Sequence, residues 1–273
     1  MSRKLVMLLC LAAIVPLAGL VCLVRYLENT AVFFPGKDVH LTPAAAGLPF
    51  EDIYIQTPDG LRINAWFLKN PSASSTIIFA HGNAGTMSDR LMKVKFLYDL
   101  GLNVMTFDYR GYGRSEGRPT EKGVYTDAQA VYDYLAARPD VDKSRIIVYG
   151  ASLGGIVAVD LAAHRPVAAL MVDSSITSAR DMAKLLYPYL PSFLMHIKFD
   201  SINKVKTITA PKLFLHSPDD QTVPYVMGQK LFAAAAEPKE FVISTGGHNE
   251  VQIVSDHKTG QAFKQYLVSK GLL

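Results

Sequence analysis

Cysteine is almost absent from this chain of 273 residues: only Cys10 and Cys22 occur, both inside one apolar stretch. No disulfide framework can form in the rest, and no Cys/His spacing of the metal-binding kind appears. Charge is scarce as well, at 19% of residues against 49% hydrophobic. That balance argues against a disordered chain and supplies ample material for a buried core. Residues 1–25 hold no acid, only Arg3, Lys4 and Arg25. With those three set aside, 25 basic and 24 acidic residues remain, without a basic run. A nucleic-acid partner is therefore not expected, nor is a metal or other cofactor. Internal repeats and low-complexity tracts are lacking too.

What the N-terminus does have is an uncharged run from Leu5 to Val24, preceded by Arg3-Lys4 and closed by Arg25. Twenty apolar residues in a helix can cross a hydrocarbon layer of about 30 Å. The alternative is a cleaved signal peptide. Its apolar core is usually shorter, about 7–15 residues, and ends in a small-x-small site that Leu20-Val21-Cys22-Leu23-Val24 does not offer. An uncleaved membrane anchor over residues 1–25 is expected. The basic residues before it orient the N-terminus to the cytoplasm and the remaining chain to the other side; Glu28 counts for little in that bias.

Residues 26–50, with Pro35, Gly36, Pro43, Gly47 and Pro49, read as an irregular linker. From residue 51 onward strands and helices alternate. Asp52–Thr57 and Leu61–Leu68 flank Pro58-Asp59-Gly60, a hairpin signal. Buried-type runs follow at Thr76–Ala80, Asn103–Phe107, Arg145–Tyr149, Ala168–Val172, Lys212–Leu215 and Glu240–Ser244. Helical patterns lie between most of them, such as Val124–Leu135. The alternation predicts an α/β domain over 51–273, with a mostly parallel sheet and helices on both faces. In such sheets the active groups gather where strands end and helices begin.

Four strand ends carry chemistry. Gly150-Ala151-Ser152-Leu153-Gly154 is a G-x-S-x-G motif between an apolar strand and a helix of small residues, the context in which such a serine is a nucleophile. A hydroxyl needs a base, and a base needs an orienting carboxylate. His248, in Gly246-Gly247-His248-Asn249, follows the last strand and suits the base. Asp219 and Asp220 share the loop after Lys212–Leu215, and spacing alone leaves the choice between them open. Five other histidines fit less well: His81 belongs to another motif, His164 ends a helix, and His40, His196 and His257 lie in the linker, an apolar insertion and the final helix. An oxyanion needs two backbone N–H donors. Leu153, after the serine, offers one, and Asn83, in His81-Gly82-Asn83-Ala84-Gly85, offers the other.

Together these motifs, with Phe33-Phe34-Pro35, Thr57-Pro58-Asp59-Gly60 and Phe107-Asp108-Tyr109-Arg110-Gly111-Tyr112-Gly113-Arg114-Ser115, resemble the α/β-hydrolase superfamily. More narrowly they resemble its single-anchor, membrane-associated serine hydrolases, which include palmitoyl-protein thioesterases. The resemblance covers roughly four fifths of the chain. It implies an α/β-hydrolase fold with a short cap, near 175–209. It also implies that the acid is Asp220, aligned through Val223-Pro224, with Asp219 second, and that Arg110 is structural. Ser217 departs from the glycine usual at its position.

The cap segment Leu185-Leu186-Tyr187-Pro188-Tyr189-Leu190-Pro191-Ser192-Phe193-Leu194-Met195 is apolar and suits an acyl chain, though it could equally be packing beneath the cap. The expected reaction is hydrolysis of a small-molecule acyl ester or thioester, lipid-like ones included, through an acyl-enzyme. A serine peptidase on the same fold and a non-catalytic membrane-bound scaffold are the alternatives. Oligomeric state, chain length and leaving group are not encoded in any motif.

Overall fold

The computed structural model describes residues 2–189, 191–248 and 252–273; Leu190 and Asn249 of the motifs above lie outside them. Eight strands form one sheet. In chain order they are β1 (Glu51–Gln56), β2 (Arg62–Leu68), β3 (Thr76–Ala80), β4 (Asn103–Phe107), β5 (Ile146–Ala151), β6 (Ala169–Asp173), β7 (Lys212–His216) and β8 (Lys239–Ile243). Their spatial order is β8-β7-β6-β5-β3-β4-β2-β1. The strands from β3 to β8 run parallel, and β2 and β1 close one edge antiparallel. The β1–β2 turn is the expected hairpin, with Gly60 at φ 88° and its N–H donating to the Thr57 carbonyl. Only a residue without a Cβ takes that φ at no cost.

The inner strands are apolar on both sides because both faces are covered. On one face α3 (Glu121–Ala136), α4 (Leu153–His164) and α6 (Tyr225–Ala234) pack through residues such as Val124, Val131, Val157 and Leu231. On the other, α2 (Leu91–Asp99) and α7 (His257–Ser269) bury Val94, Leu97, Phe263 and Leu267. Between β6 and β7 the chain leaves the sheet to form α5 (Ala179–Leu186) and a short 3₁₀ turn at Ser192–Leu194, and it packs back on the core at Phe199, which is buried.

The N-terminal helix α1 spans Arg3–Ala31, 29 residues, and its segment Arg3–Glu28 is long and apolar enough to cross a membrane. It runs past Arg25, where the linker was expected to start, because Tyr26-Leu27-Glu28 contains no breaker. It stops before Phe34-Pro35, where proline favours extended backbone in the preceding residue. Its final turns are held by the domain. The Glu28 carboxylate, buried, accepts the Ile197 N–H at 2.8 Å and the His196 N–H at 2.5 Å, and also pairs with Arg25 at 2.8 Å. Phe34–Pro35 then forms a short parallel pair with Ala84–Gly85, which belongs to the loop after β3.

Topology fixes where a ligand can sit. From β3 the chain passes through α2 to β4 on one side, then through α3 to β5 on the other side of β3. The loops after β3 and β5 therefore part and leave a crevice at their C-terminal ends, the usual ligand site of such sheets.

Candidate active site

Ser152 stands at that crevice, between β5 and α4, with φ 55° and ψ −118°. This is a costly conformation for a residue with a side chain, and it persists only where the surroundings impose it. Here the Ser152 N–H donates to the Asp173 carbonyl at 2.8 Å, and its carbonyl accepts from the Gly155 N–H and the Ser175 hydroxyl, each at 2.9 Å. Two glycines make the sharp turn possible. A Cβ on Gly150 would collide with the Gly154 carbonyl, and one on Gly154 with the Ala80 carbonyl. The end of β6 is itself braced from within. The buried Asp173 carboxylate accepts hydrogen bonds from Lys93 at 3.1 Å, Tyr149 at 2.7 Å and Ser174 at 3.1 Å. Burial works against its charge, and those three donors outweigh it and hold the carboxyl below its ordinary range.

The structure brings three of the sequence-predicted residues into one hydrogen-bonded chain. His248 Nε2 lies 2.9 Å from Ser152 Oγ, and His248 Nδ1 lies 2.7 Å from Asp220 Oδ2. A carboxylate only accepts, so Nδ1 carries the proton and Nε2 is free to accept one from the serine. Asp220 is buried, and its Oδ1 accepts the Thr222 and Val223 N–H groups at 2.9 and 2.8 Å. Beneath it the buried His216 donates from Nε2 to the Val223 carbonyl at 2.9 Å and approaches Asp220 Oδ2 at 3.5 Å. Burial alone would raise the Asp220 pKa, but hydrogen bonds from His216, His248 and the Val223 N–H prevail and hold it well below the carboxylate range. Asp219, by contrast, is exposed and makes its loop contact through its backbone N–H, to Ser217 Oγ.

The loop after β3 lies against the nucleophile: a Cβ on Gly82 would sit 3.6 Å from the Ser152 Cβ. Asn83 and Leu153 both line the cavity that contains Ser152. Leu153 is the first residue of α4, so its N–H is one of those with no intrahelical acceptor. The Asn83 side chain is turned to the N-terminal segment, donating to the Val32 carbonyl at 2.6 Å and accepting from Tyr112 at 2.9 Å. His81 is buried; its carbonyl accepts the Tyr109 hydroxyl at 2.7 Å, which fixes the base of the loop. Arg110 stands apart from the site. It forks onto the Asp127 carboxylate and reaches Asp59 in the β1–β2 turn at 2.8 Å.

Above Ser152 opens a cavity of about 310 Å³. Its walls come from three places. Ile176, Met182, Leu186 and Met195 come from the insertion, Ile156 and Val223 from the domain, and Val24 and Leu27 from the last turns of α1, with Val32 just beyond its end. The participation of α1 is what sequence reasoning missed. The signal for it in the sequence is the lone acid Glu28 just beyond the apolar run, whose carboxylate ties the helix to the insertion. Among the described residues the only carboxylate in the wall is Glu28, and both its oxygens are occupied. Among the described residues no group of three or more His, Cys, Asp or Glu side chains could hold a metal ion.

A mostly parallel sheet with a strained serine at its switch point defines the α/β-hydrolase fold class. Comparison with known proteins agrees. Over 280 residues the chain is 36% identical to uncharacterized protein Rv2307c of Mycobacterium tuberculosis, covering all of this chain and 99% of that one. It is 38% identical to α/β-hydrolase domain-containing protein WAV2 of Arabidopsis thaliana, over 80% of this chain and 79% of the relative. A family model described as serine aminopeptidase, S33, matches residues 71–201. Among solved structures, Pyrococcus furiosus esterase Pf2001 superposes with a TM-score of 0.71 at 21% identity, over 88% of this chain and 96% of the esterase. The chain belongs to the α/β-hydrolase family.

Proposed function

We propose that this protein is a membrane-anchored serine hydrolase that cleaves acyl esters or thioesters through an acyl-enzyme. The observation that carries the reading is the Ser152–His248–Asp220 hydrogen-bonded chain at the floor of an apolar cavity. In this mechanism His248 Nε2 takes the Ser152 proton as Oγ attacks the acyl carbonyl. Asp220 holds the Nδ1 tautomer and stabilises the imidazolium. The Leu153 and Asn83 N–H groups receive the oxyanion. His248 then protonates the leaving group, water enters, and the same groups act in reverse to release the acid.

The apolar walls favour an acyl chain over a peptide. An aminopeptidase needs an available carboxylate for the substrate amine, and the one that lines the cavity among the described residues, Glu28, is already committed to two backbone N–H groups and Arg25. The anchor is α1, with Arg3 and Lys4 on the cytoplasmic side and the catalytic domain on the other. Support for a lipid-like substrate comes from the insertion, which lines the cavity through Met182, Leu186 and Met195 and in which Leu185, Leu186, Tyr189 and Phe193 are exposed.

The test is labelling of the purified full-length protein by a fluorophosphonate probe, compared with Ser152→Ala and His248→Ala. Labelling of the wild type alone is expected, followed by turnover of p-nitrophenyl esters and acyl thioesters. An unlabelled, folded wild type would favour a silent scaffold.

A further inference from the structure

A second cavity, about 1190 Å³, lies on the other side of the last turns of α1. Arg25, Arg118, Lys122, His196 and Lys198 line it. Two acids, Glu28 and Glu121, share the wall, and both are spent on backbone. Glu28 accepts the His196 and Ile197 N–H groups; Glu121 accepts those of Lys198 and Phe199, at 2.7 and 2.8 Å. Four consecutive N–H groups are thus satisfied by two carboxylates, which lay segment 196–199 between α1 and α3. That leaves His196 and Lys198 exposed. Arg25 is paired with Glu28. Arg118, Lys122 and Lys198 are exposed and form no ion pair among the described residues.

Unpaired cations converging on one cleft repel each other, a cost that an anion would remove. The position of the cleft says which anion. The uncharged run of α1 ends at Arg25, and Arg25 is in the cleft wall, so the cleft sits where the helix leaves the hydrocarbon and meets headgroups. Basic pockets at that level are suited to anionic headgroups. The N-terminus of α3, 16 residues long and opened by Thr120 in the cleft wall, adds partial positive charge.

We propose that this cleft binds the phosphate of an anionic phospholipid, as a site separate from the one that holds Ser152. The chemistry recognised is a phosphate ester, and the membrane supplies it.

The experiment measures equilibrium binding of phosphatidylglycerol, phosphatidylcholine and free glycerol 3-phosphate to the full-length protein in neutral detergent. It is done in the Ser152→Ala background, where no turnover consumes lipid, so the result does not depend on the hydrolase reading. Phosphatidylglycerol is expected to bind preferentially. Arg118→Ala/Lys122→Ala/Lys198→Ala should weaken it roughly 100-fold, several-fold per cation. The charge-matched control Lys143→Ala/Lys230→Ala/Lys264→Ala, at exposed positions outside the cleft, should retain it. Equal weakening in both triple variants would reduce the effect to net charge and overturn the proposal, as would equal binding of the two lipids. Free glycerol 3-phosphate binding as tightly as the lipid would overturn the membrane source and assign the cleft to a soluble phosphate ester.

Discussion

Asp219 and Asp220 are chemically identical neighbours with opposite surroundings. Asp220 is buried, caps two N–H groups and touches His248, whereas Asp219 is exposed. Asp220→Asn should preserve the fold and lower kcat by about 10⁴, because the amide no longer selects the reactive imidazole tautomer. Asp219→Asn should leave kcat within a factor of about two; steady-state ester hydrolysis separates them. Spacing left this pair open, since both residues lie in one turn and the difference between them is burial, which no local pattern encodes. Ser152 was different. Its glycines, its strand and its helix are contiguous in the chain, so the need for a sharp turn could be read where it occurs. A methyl group at Gly154 would meet the Ala80 carbonyl, so Gly154→Ala should destabilise by about 1–3 kcal/mol in thermal unfolding.

At the scale of elements, the strands were legible nearly to the residue. Each is a short apolar run between turn residues, and the helices alternate with them. The contact between α1 and the insertion was not, because Glu28 and His196 are 168 residues apart. Glu28→Ala orphans two backbone N–H groups, each worth about 1–3 kcal/mol when buried. The variant should melt earlier and lose activity on long acyl esters before short ones. Another inter-element tie responds to pH. The Asp59 carboxyl is lowered to about 2, chiefly by hydrogen bonds from Arg110 and then Thr57. A depressed folded-state pKa adds stability above the ordinary value near 3.8, and that stability is lost as pH falls toward 2. Asp59→Asn should therefore flatten the fall in melting temperature between about pH 4 and pH 2. An unchanged slope would place the acid sensitivity elsewhere. Asp59 is half exposed, so the effect is modest.

For the whole molecule, the N-terminal helix and the domain share one cavity. Val24, Leu27 and Val32 face the same space as Ser152. Removal of residues 1–32 should lower turnover of all esters, because Asn83 loses the Val32 carbonyl, but kcat/KM for long acyl chains should fall roughly 10–100-fold further than for short ones, the loss of a few apolar side chains from the wall. Comparison of chain-length profiles for the two forms measures it, and parallel profiles would show that the helix contributes nothing to the cavity.

The short pair of Phe34–Pro35 with Ala84–Gly85 carries a consequence for modularity. It joins the end of α1 to the very loop that holds Asn83, and Asn83 in turn grips the Val32 carbonyl. A tether can be exchanged for any other tether of equal length; a buttress cannot. Residues 5–20 are free to drift in sequence so long as they stay apolar. Residues 24–35 must instead change in step with the insertion and the loop after β3. The boundary between interchangeable and co-dependent parts therefore falls inside the helix, near Val24, and not at its end.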